Sequence, residues 1–305
     1  MTRPQPAIFI DGSAHHHYLE YNVGTGADMA ALKRAIVKTL SAAETVPADS
    51  GVNMVVAFGP ALWARLDPGG DLKGFSPFQR ISGVDGREAP ATQRDILIWL
   101  HGARLDETFD GALTVQRRLA GLAELAFDER GFTYHDSRDL TGFVDGSANP
   151  KDEAAREAAL IPDGQPGVGG AFVLTQRWVH DLDAFSVLSE TEQERVIGRT
   201  KPDSVELEGD AMPPDSHVSR TDVKEDGVAL KIYRRSAPYG LAGEHGLYFL
   251  AFSCDLHRFD VQLKRMFGVA GDGQHDRLIA FSQAVSGSYW LAPSLDDLER
   301  VFAAD

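Results

Sequence analysis

The order of apolar segments along the chain constrains its fold more than any other feature. In the first half, segments with strand composition and segments with apolar residues at helical spacing follow an order close to strand, helix, strand, strand, helix, strand, with two strand segments before the first helix. A ferredoxin-like unit has this order of elements. The predicted strands are residues 8–10, 18–23, 53–58, 95–101 and 132–134, and the predicted helices are residues 28–43 and 113–126.

A similar order recurs after a stretch rich in Gly, Pro, Asp and Glu at residues 147–168. Ser189 and Glu192 have the spacing of a capping box, which predicts the start of a helix. We therefore expect an α+β protein with two ferredoxin-like halves, residues 1–146 and 169–305, joined by a connector loop. The strands predicted in the second half are residues 171–179, 228–233 and 247–252, and the further helices are residues 255–267 and 275–284.

The charge of the chain limits its partners. Among 305 residues there are 30 Lys and Arg against 45 Asp and Glu, a net charge of −15. This excess disfavours binding to a phosphate backbone or to an anionic membrane surface. We therefore expect neither a nucleic acid nor a membrane as a partner, while small neutral, cationic or aromatic substrates are compatible with the charge.

Nothing in the sequence predicts export or a disulfide. The first residues lack the continuous apolar segment of a signal peptide, and no stretch reaches the length of a transmembrane helix. Cys254 is the only cysteine and lies in an apolar run, so we expect a small core residue. These features predict a cytoplasmic protein.

A carboxylate directly after an apolar pair is the most informative local feature. Asp145 follows Phe143 and Val144 and precedes a turn at residues 146–150. Burying a carboxylate is costly unless it is paired or used, which makes Asp145 a candidate functional residue. An ordinary Asp-Gly turn is the alternative explanation.

A second candidate comes from the strand predicted at residues 228–233. Side chains alternate between the two faces of a strand, so Arg234 and Ser236 continue the apolar face of this segment. Arg235 continues the more polar face. The alternation favours Arg234 as the inward-pointing arginine, while a pair of surface arginines near a strand end is the alternative.

Histidines give a third candidate. His217 follows a Pro-Pro pair that stiffens the backbone leading to it, although most single histidines are surface or hydrogen-bonded core residues. His15, His16 and His17 are adjacent and would form a poor chelate on a strand, so we expect an exposed turn there. No spacing of Cys and His suggests a zinc site.

Together these segments resemble the dye-decolorising peroxidases, over almost the whole chain and in the family's order. Members are haem enzymes with two ferredoxin-like halves, so the resemblance implies a DyP-type fold of sheets and helices around a haem pocket, with one haem b per chain. The motifs are residues 142–146 (GFVDG), 149–150 (NP), 196–201 (VIGRTK), 216–218 (SHV) and 231–240 (KIYRRSAPYG). Residues 176–181 (QRWVHD), 245–249 (HGLYF) and 289–294 (YWLAPS) resemble the B subclass, which is mostly bacterial and cytoplasmic.

The resemblance also implies roles for individual residues. His217 would be the proximal ligand of the haem iron, with Asp276 as the acceptor for its other ring nitrogen. A helix N-terminal cap is the alternative for Asp276. Asp145 and Arg234 would lie on the distal side, where Asp145 moves a proton between the peroxide oxygens and Arg234 stabilises developing negative charge.

Three further residues belong to the implied site. Arg199 resembles an arginine that pairs with a haem propionate, with a helix C-terminal cation as the alternative. Asn149 is expected to hydrogen-bond near the haem edge or else to serve a turn. Ser236 stands where many B-type members have Asn, and its hydroxyl can still hold a distal water.

The implied reaction is the reduction of hydrogen peroxide, with one-electron oxidation of small aromatic or dye-like donors. Bulky donors would need surface Tyr or Trp residues to pass electrons, and the sequence singles out none. The candidates are Trp63, Trp99, Trp178 and Trp290, for each of which core packing is the alternative. Homo-oligomers are usual in the family. Because the chain stops soon after the last predicted helix, at residues 302–305, we expect no tail that docks into a protein shell.

Two other functions compete with the peroxidase hypothesis. A protein for haem storage, delivery or iron release would need His217 and Arg199 but neither Asp145 nor Arg234. A ferredoxin-like ligand- or RNA-binding protein without haem would need a basic strand face with aromatic residues, which the sequence lacks. The presence of Asp145 and Arg234 on the expected motifs favours catalysis.

Overall fold

The computed structural model describes residues 2–45, 51–70, 72 and 74–303, and its N-terminal half contains one four-stranded antiparallel sheet. The strands lie in the order β2-β5-β1-β6, with two helices, α1 and α3, packed against each other. This is the ferredoxin-like arrangement that the sequence predicts. The elements are β1 (His15–Asn22), α1 (Met29–Thr45), β2 (Asn53–Phe58), β5 (Ile96–Gly102), α3 (Leu105–Leu119) and β6 (Glu124–Phe132).

The C-terminal half repeats the arrangement with strands in the order β11-β12-β7-β14. Helix α6 begins with the predicted capping box, in which the Ser189 hydroxyl accepts the backbone N–H of Glu192, and it ends at Gly198 with a left-handed φ of 94°. The elements are β7 (Ala171–His180), α6 (Glu190–Ile197), β11 (Ala237–Leu241), β12 (Glu244–Ser253), α8 (Leu256–Met266) and β14 (Ser288–Ala292).

The two sheets join at both edges into a closed ring of strands. Gly131 of β6 pairs with Tyr239 of β11, and Phe58 of β2 pairs with Leu291 of β14. A Cβ atom on Gly131 would lie 3.0 Å from Cβ of Ala237, so glycine permits the close approach of β11. Because side chains alternate along a strand, one set fills the ring and the other faces the helices. Large buried side chains inside the ring include Tyr18, Trp99, Tyr248, Phe252 and Trp290.

Shorter elements complete the described chain. They are α2 (Pro60–Leu66), β3 (Ile81–Ser82), β4 (Glu88–Ala89), α4 (Asp152–Ala159), α5 (Leu182–Ser186), α7 (His217–Thr221), β8 (Lys224–Glu225), β9 (Val228–Ala229), β10 (Tyr233–Arg234), β13 (Ser282–Ala284) and α9 (Leu295–Phe302). Short 3-10 helices span Pro6–Phe9, Val84–Gly86, Gly209–Ala211 and Arg277–Ala280. No helix among the described residues combines the length and the apolar character needed to cross a membrane.

Three predictions in the first half of the chain are wrong. Residues 8–10 are predicted as a strand, but Ile8 and Phe9 belong to the 3-10 helix Pro6–Phe9 and Ile10 follows it, because Pro6 fixes a helical φ at the start of the helix. The helix predicted at residues 113–126 spans Leu105–Leu119 instead, and β6 begins at Glu124 and ends at Phe132, so the strand predicted at residues 132–134 lies largely beyond it. Gly121, with a φ of 76°, turns the chain between the two elements.

The prediction of an exposed turn at His15, His16 and His17 is also wrong. These residues open β1, which pairs with β5 on one side and β6 on the other, and His16 and His17 are 6% and 2% exposed. His16 accepts a hydrogen bond from the Trp99 indole, and His17 lies 2.6 Å from an Asp128 oxygen. Buried polar groups need hydrogen-bond partners. The Trp99 indole provides one for His16 and the Asp128 carboxylate provides one for His17, so this buried strand can contain histidines.

In the second half, the strand predicted at residues 228–233 is interrupted. Its two ends form β9, which pairs with β8, and β10, which pairs with β12. The helix predicted at residues 275–284 is instead the 3-10 helix Arg277–Ala280 followed by β13, because residues 282–284 pair with β7. Apolar spacing alone did not reveal either pairing.

The segment predicted as a connector, residues 147–168, contains the helix α4. The chain then enters β7 directly after Gly170, whose amide donates to Gly167. Residues 304–305, on which the expectation about a docking tail partly depends, lie outside the described residues.

Candidate functional site

A cavity lies between the outer face of the C-terminal sheet and the helices and loops that cover it. Alternation along β7 and β12 presents one set of side chains to this space, and α8 supplies another. The lining residues from these three elements are Leu174, Gln176, Trp178, His180, Leu247, Phe249, Phe259, Gln262, Leu263 and Met266. Because most of them are apolar, the wall suits a flat hydrophobic ligand with few polar groups.

His217, the first residue of α7, reaches the cavity. Its Nδ1 lies 2.6 Å from Oδ2 of Asp276, which is fully buried. The other Asp276 oxygen accepts the backbone N–H of Leu278 and caps the next 3-10 helix. One carboxylate thus makes both contacts that the sequence left as alternatives. With Nδ1 bound to a carboxylate, Nε2 is the nitrogen left to bind a metal.

Asp145 and Arg234 line the same cavity. Arg234 Nη2 lies 4.0 Å from Asp145 Oδ1, and each side chain is 24% exposed. At this distance the two charges attract each other without a close hydrogen bond. A small molecule that contacts both groups from the cavity could therefore accept from the guanidinium and exchange a proton with the carboxylate.

The loop that carries Asp145 is held by Arg138. The Arg138 guanidinium donates to the backbone carbonyls of Gly142 and Lys201 at 2.8 and 2.7 Å. Gly142 has a φ of 90°, in the left-handed region that favours glycine. The Asp145 amide donates to the Ser137 carbonyl at 3.0 Å. These bonds fix the backbone from which the carboxylate projects.

Asn149 connects the same loop to β10. Its Nδ2 donates to the Arg234 carbonyl at 2.7 Å, and its Oδ1 accepts the Arg234 backbone N–H at 3.0 Å. The side-chain amide therefore binds Arg234 as a neighbouring strand would. Asn149 also lines the cavity, so the expected contact near a haem edge stays a prediction.

Arg199 lies at the cavity with a side chain that is 15% exposed. Its guanidinium donates to the Ser204 carbonyl at 2.9 Å and to the Glu206 carboxylate at 2.6 Å. A guanidinium has five N–H donors, so further donors are available for an anionic group of a ligand.

Ser236 and Arg235 lie beyond this lining. The described residues that line the cavity do not include Ser236, whose hydroxyl accepts the Leu250 amide at 3.3 Å. Arg235, which alternation assigns to the more polar face, is 8% exposed and lies over the Trp99 ring, 5.3 Å from its centroid. Arg234 faces the cavity, as alternation predicts, but the more buried of the two arginines is Arg235.

Sequence reasoning missed a polar chain in the cavity wall. His180 Nε2 lies 3.0 Å from Asp139 Oδ1, and His180 Nδ1 lies 2.8 Å from the Ser282 hydroxyl. Burial alone would raise the pKa of the Asp139 carboxyl, but the hydrogen bonds and charge of His180 and the hydrogen bonds from Thr141 lower it below its usual value. Alternation along β7, which puts His180 on the face of Gln176, is the signal that could have found this chain.

All four tryptophans pack in the hydrophobic core, and one of them also lines the cavity. Trp178 is 6% exposed and lines the cavity. Trp63, Trp99 and Trp290 are buried in the hydrophobic core. Trp178 is therefore the tryptophan placed to contact a ligand in this space.

The residues of the cavity fit a haem. Gln176 is 1% exposed, and its Nε2 has no hydrogen-bond partner among the described residues. A buried donor without a partner is costly, so a ligand that accepts from it would remove the cost. The imidazole of His217, the apolar walls and the Arg199 guanidinium match a flat apolar ring system with a metal and peripheral carboxylates.

Both halves of the chain match family models. Residues 5–133 match the model described as Dyp-type peroxidase, N-terminal, and residues 136–297 match the one described as Dyp-type peroxidase, C-terminal. The chain belongs to the Dyp-type peroxidase family. It is therefore a peroxidase, and its two ferredoxin-like halves are those of the family.

Curated relatives of this Dyp-type peroxidase have the same description. A dye-decolorizing peroxidase from Rhodococcus erythropolis is 35% identical over 277 residues, which cover 90% of this chain and 79% of the relative. One from Mycobacterium tuberculosis is 36% identical over 253 residues, covering 82% and 75%. The similarity extends through both halves of the chain.

Solved structures share the fold over nearly the full length. A putative Dyp-type peroxidase from Shewanella oneidensis has a TM-score of 0.93 at 34% identity and covers 98% of this chain and 99% of its own. A DypB variant from Rhodococcus jostii, described as a complex with heme, has a TM-score of 0.91 at 35% identity and covers 97% and 98%. The DypB relatives agree with the B-subclass motifs.

Proposed function

We propose that this Dyp-type peroxidase binds haem in the cavity through His217 and uses Asp145 and Arg234 to cleave hydrogen peroxide. The observation that carries the proposal is that these three residues, distant in sequence, line one cavity. The heme complex of the Rhodococcus jostii DypB variant supports haem as the occupant. The orphaned Gln176 amide and the apolar walls fit the same group.

His217 would hold the iron through Nε2. The Asp276 carboxylate fixes the imidazole tautomer by accepting from Nδ1 at 2.6 Å and makes the imidazole a stronger donor. Arg199 would contribute a free N–H group to a propionate, since Ser204 and Glu206 occupy only part of its guanidinium. When bound, the haem iron supplies the redox chemistry that passes two electrons to peroxide and recovers them one at a time from donors.

Asp145 and Arg234 would act on the peroxide. The Asp145 carboxylate accepts the proton from one peroxide oxygen and returns it to the other, which leaves as water. The Arg234 guanidinium, fixed 4.0 Å away, stabilises the negative charge on the departing oxygen. Asn149 holds Arg234 through its backbone, while Ser236 would act through an ordered water.

The organic donor would be a small aromatic molecule. The support for this class of donor is that the curated relatives are described as dye-decolorizing peroxidases, and dyes are aromatic molecules.

Stopped-flow spectroscopy of the haem-loaded protein with hydrogen peroxide tests this proposal. Arg234→Leu should slow the reaction with peroxide by about 10²-fold or more, and Asp145→Asn should slow it less, because water can replace part of its function. Asp222→Asn is the matched control, since Asp222 is another carboxylate at the cavity and pairs with Lys231 at 2.5 Å. Equal rates in all three variants and the parent would favour haem storage or delivery.

A further inference from the structure

The helix that carries His217 is too short to be stable by itself. Helix α7 consists of five residues, His217–Thr221, and isolated helices of this length do not persist in water. Its N-terminus is capped by the Ser216 hydroxyl, which accepts the Ser219 amide at 3.2 Å. Contacts outside the helix must therefore fix the direction in which the His217 imidazole points.

Arg220 makes most of those contacts. Its side chain is 2% exposed, and two of its nitrogens donate to the two oxygens of Asp272 at 2.8 and 3.1 Å. The same guanidinium donates to the carbonyls of Arg265 at 3.1 Å and Gln274 at 3.3 Å. In return, Arg265 donates to the carbonyls of Arg220 and Ser219 at 3.2 and 3.0 Å. One planar group thus joins α7, the end of α8 and the loop that follows α8.

That loop also delivers the hydrogen-bond acceptor of His217. Gln274 stands two residues before Asp276, and the Asp276 amide donates to the Met266 carbonyl of α8 at 2.9 Å. The Asp276 carboxylate then meets His217 Nδ1 at 2.6 Å. Arg220 therefore contacts both the helix that carries the imidazole and the loop that carries the carboxylate.

Fold stability alone does not explain a guanidinium at this position. Burying the Arg220 charge costs desolvation energy, and a well-packed apolar side chain of similar size is often as stabilising or more so. What an apolar side chain cannot do is bind a carboxylate and two backbone carbonyls at fixed angles in one plane. The fixed arrangement of hydrogen bonds around Arg220 therefore calls for a functional explanation.

We propose that Arg220 is a positioning residue that sets the hydrogen bond between His217 and Asp276, and through it the electron donation of the imidazole to the iron. The inference rests on the proposed function of His217 as the iron ligand. The hydrogen bonds of Arg220 to Asp272, Arg265 and Gln274 form a clamp. Loosening this clamp lengthens or tilts the hydrogen bond between His217 and Asp276 and makes the imidazole a weaker electron donor to the iron. A weaker donor stabilises the ferric state less, so the reduction potential of the iron rises.

The test compares Arg220→Met with Asp276→Asn in the haem-loaded protein. The measurements are the ferric/ferrous reduction potential and the iron–histidine stretching frequency from resonance Raman spectra of the ferrous protein. Asp276→Asn should raise the potential and lower the frequency, and Arg220→Met should shift both in the same directions by a smaller amount. Arg220→Lys, which keeps the charge without the planar fork, should lie between the parent and Arg220→Met.

A double-mutant cycle separates positioning from mere support of the fold. If Arg220 acts through Asp276, adding Arg220→Met to Asp276→Asn should change the potential little further. If Arg220 only supports the fold, Arg220→Met should lower the melting temperature and leave the potential and the frequency unchanged, which overturns the proposal. Arg258→Met is the matched control, because Arg258 of α8 donates to the Lys231 carbonyl at 2.7 Å and, among the residues that the structure describes, has no hydrogen bond to the loop that carries Asp276.

Three further outcomes are distinguishable. If Arg220→Met does not fold, Asp272→Asn probes the clamp from its more exposed side, since the Asp272 side chain is 36% exposed, and an unchanged potential there also overturns the proposal. If the parent protein binds haem without an iron–histidine band, the assignment of His217 fails instead. If the band is present and responds to Asp276→Asn alone, only the positioning function of Arg220 is refuted.

Discussion

Replacing Asn149 by alanine should weaken both the fold and the reaction with peroxide. The side-chain amide makes two hydrogen bonds to the backbone of Arg234, at 2.7 and 3.0 Å. A typical hydrogen bond contributes about 1 kcal/mol to stability, so the loss of both should cost roughly 2 kcal/mol. For a protein of 305 residues that corresponds to a fall in melting temperature of roughly 3 °C.

The effect on catalysis follows from the same two bonds. Arg234 belongs to the two-residue strand β10, which pairs with β12 on one side, and Asn149 supplies the partner on the other. Without the amide, the Arg234 backbone is free to shift, and a misplacement of about 1 Å can slow a reaction by roughly 10²-fold. We therefore expect slower reaction with peroxide in stopped-flow measurements, with haem still bound.

Two variants sharpen this test. Asn149→Asp keeps the acceptor for the Arg234 amide but places a second acceptor against the Arg234 carbonyl, so it should be no better than Asn149→Ala. Ser147→Ala is the matched control, because it removes a hydrogen bond of the same loop, to Ser204 at 3.1 Å, without touching Arg234. A parent-like melting temperature and peroxide rate in Asn149→Ala would refute the reasoning. Loss of haem at an unchanged peroxide rate per bound haem would favour the direct contact with the haem edge.

Two predictions concern pH. The buried Glu20 carboxyl accepts a hydrogen bond from the Tyr248 hydroxyl, and burial raises its pKa from 4.5 to about 7. The folded state therefore holds the carboxyl proton more tightly than the unfolded state, so the stability of the fold falls as pH rises from about 4.5 to 7. The free energy of unfolding of Glu20→Gln should therefore exceed that of the parent by up to about 3 kcal/mol at pH 8. Denaturant unfolding at pH 4.5 and pH 8 measures this difference, and a difference that does not depend on pH would contradict the prediction. Burial likewise lowers the pKa values of His16 and His101 from 6.5 to about 3, so stability is retained above about pH 6.5 and is lost as pH falls toward 3. His101→Gln should flatten that acid loss in a melting-temperature series from pH 7 to 4, and an unchanged slope would count against the cause.

Much of the fold follows from the sequence because its elements are locally encoded. The strands β2, β5 and β7 and the helices α1, α6 and α8 lie close to their predicted positions, since their apolar periodicity and caps agree with their tertiary surroundings. The capping box at Ser189 and the left-handed Gly198 are cases in which local chemistry decides the boundary.

The wrong predictions of secondary structure lie where residues have contacts with residues distant in sequence. His16 could enter a buried strand because the Trp99 indole, 83 residues away, donates to it. The helix predicted at residues 275–284 gave way because Asp276 is engaged by His217 and residues 282–284 pair with β7. The spacing of apolar residues contains no information about such long-range partners. These partners therefore produced a strand, or a 3-10 helix followed by a strand, where the local sequence favoured a turn or a helix.

In the candidate site, too, some residues were predicted from the sequence and others were not. Family motifs supplied His217, Asp145 and Arg234, and the need of a haem-ligating histidine for an acceptor suggested Asp276. The structure brings the first three to one cavity and Asp276 to His217. The supporting residues were not predicted. Arg220 acts through contacts with segments 45 to 54 residues away, and the hydrogen bonds of a buried arginine cannot be read from its neighbours in sequence.

The central claim is that His217 holds haem in a cavity where Asp145 and Arg234 cleave peroxide. Absorption spectra of the haem-loaded parent and of His217→Ala, before and after one equivalent of hydrogen peroxide, test it most directly. The account predicts a Soret band of histidine-ligated ferric haem that changes within milliseconds in the parent, and loosened or lost haem in His217→Ala. An unchanged spectrum in His217→Ala, or a parent Soret band that peroxide only bleaches slowly, would contradict it.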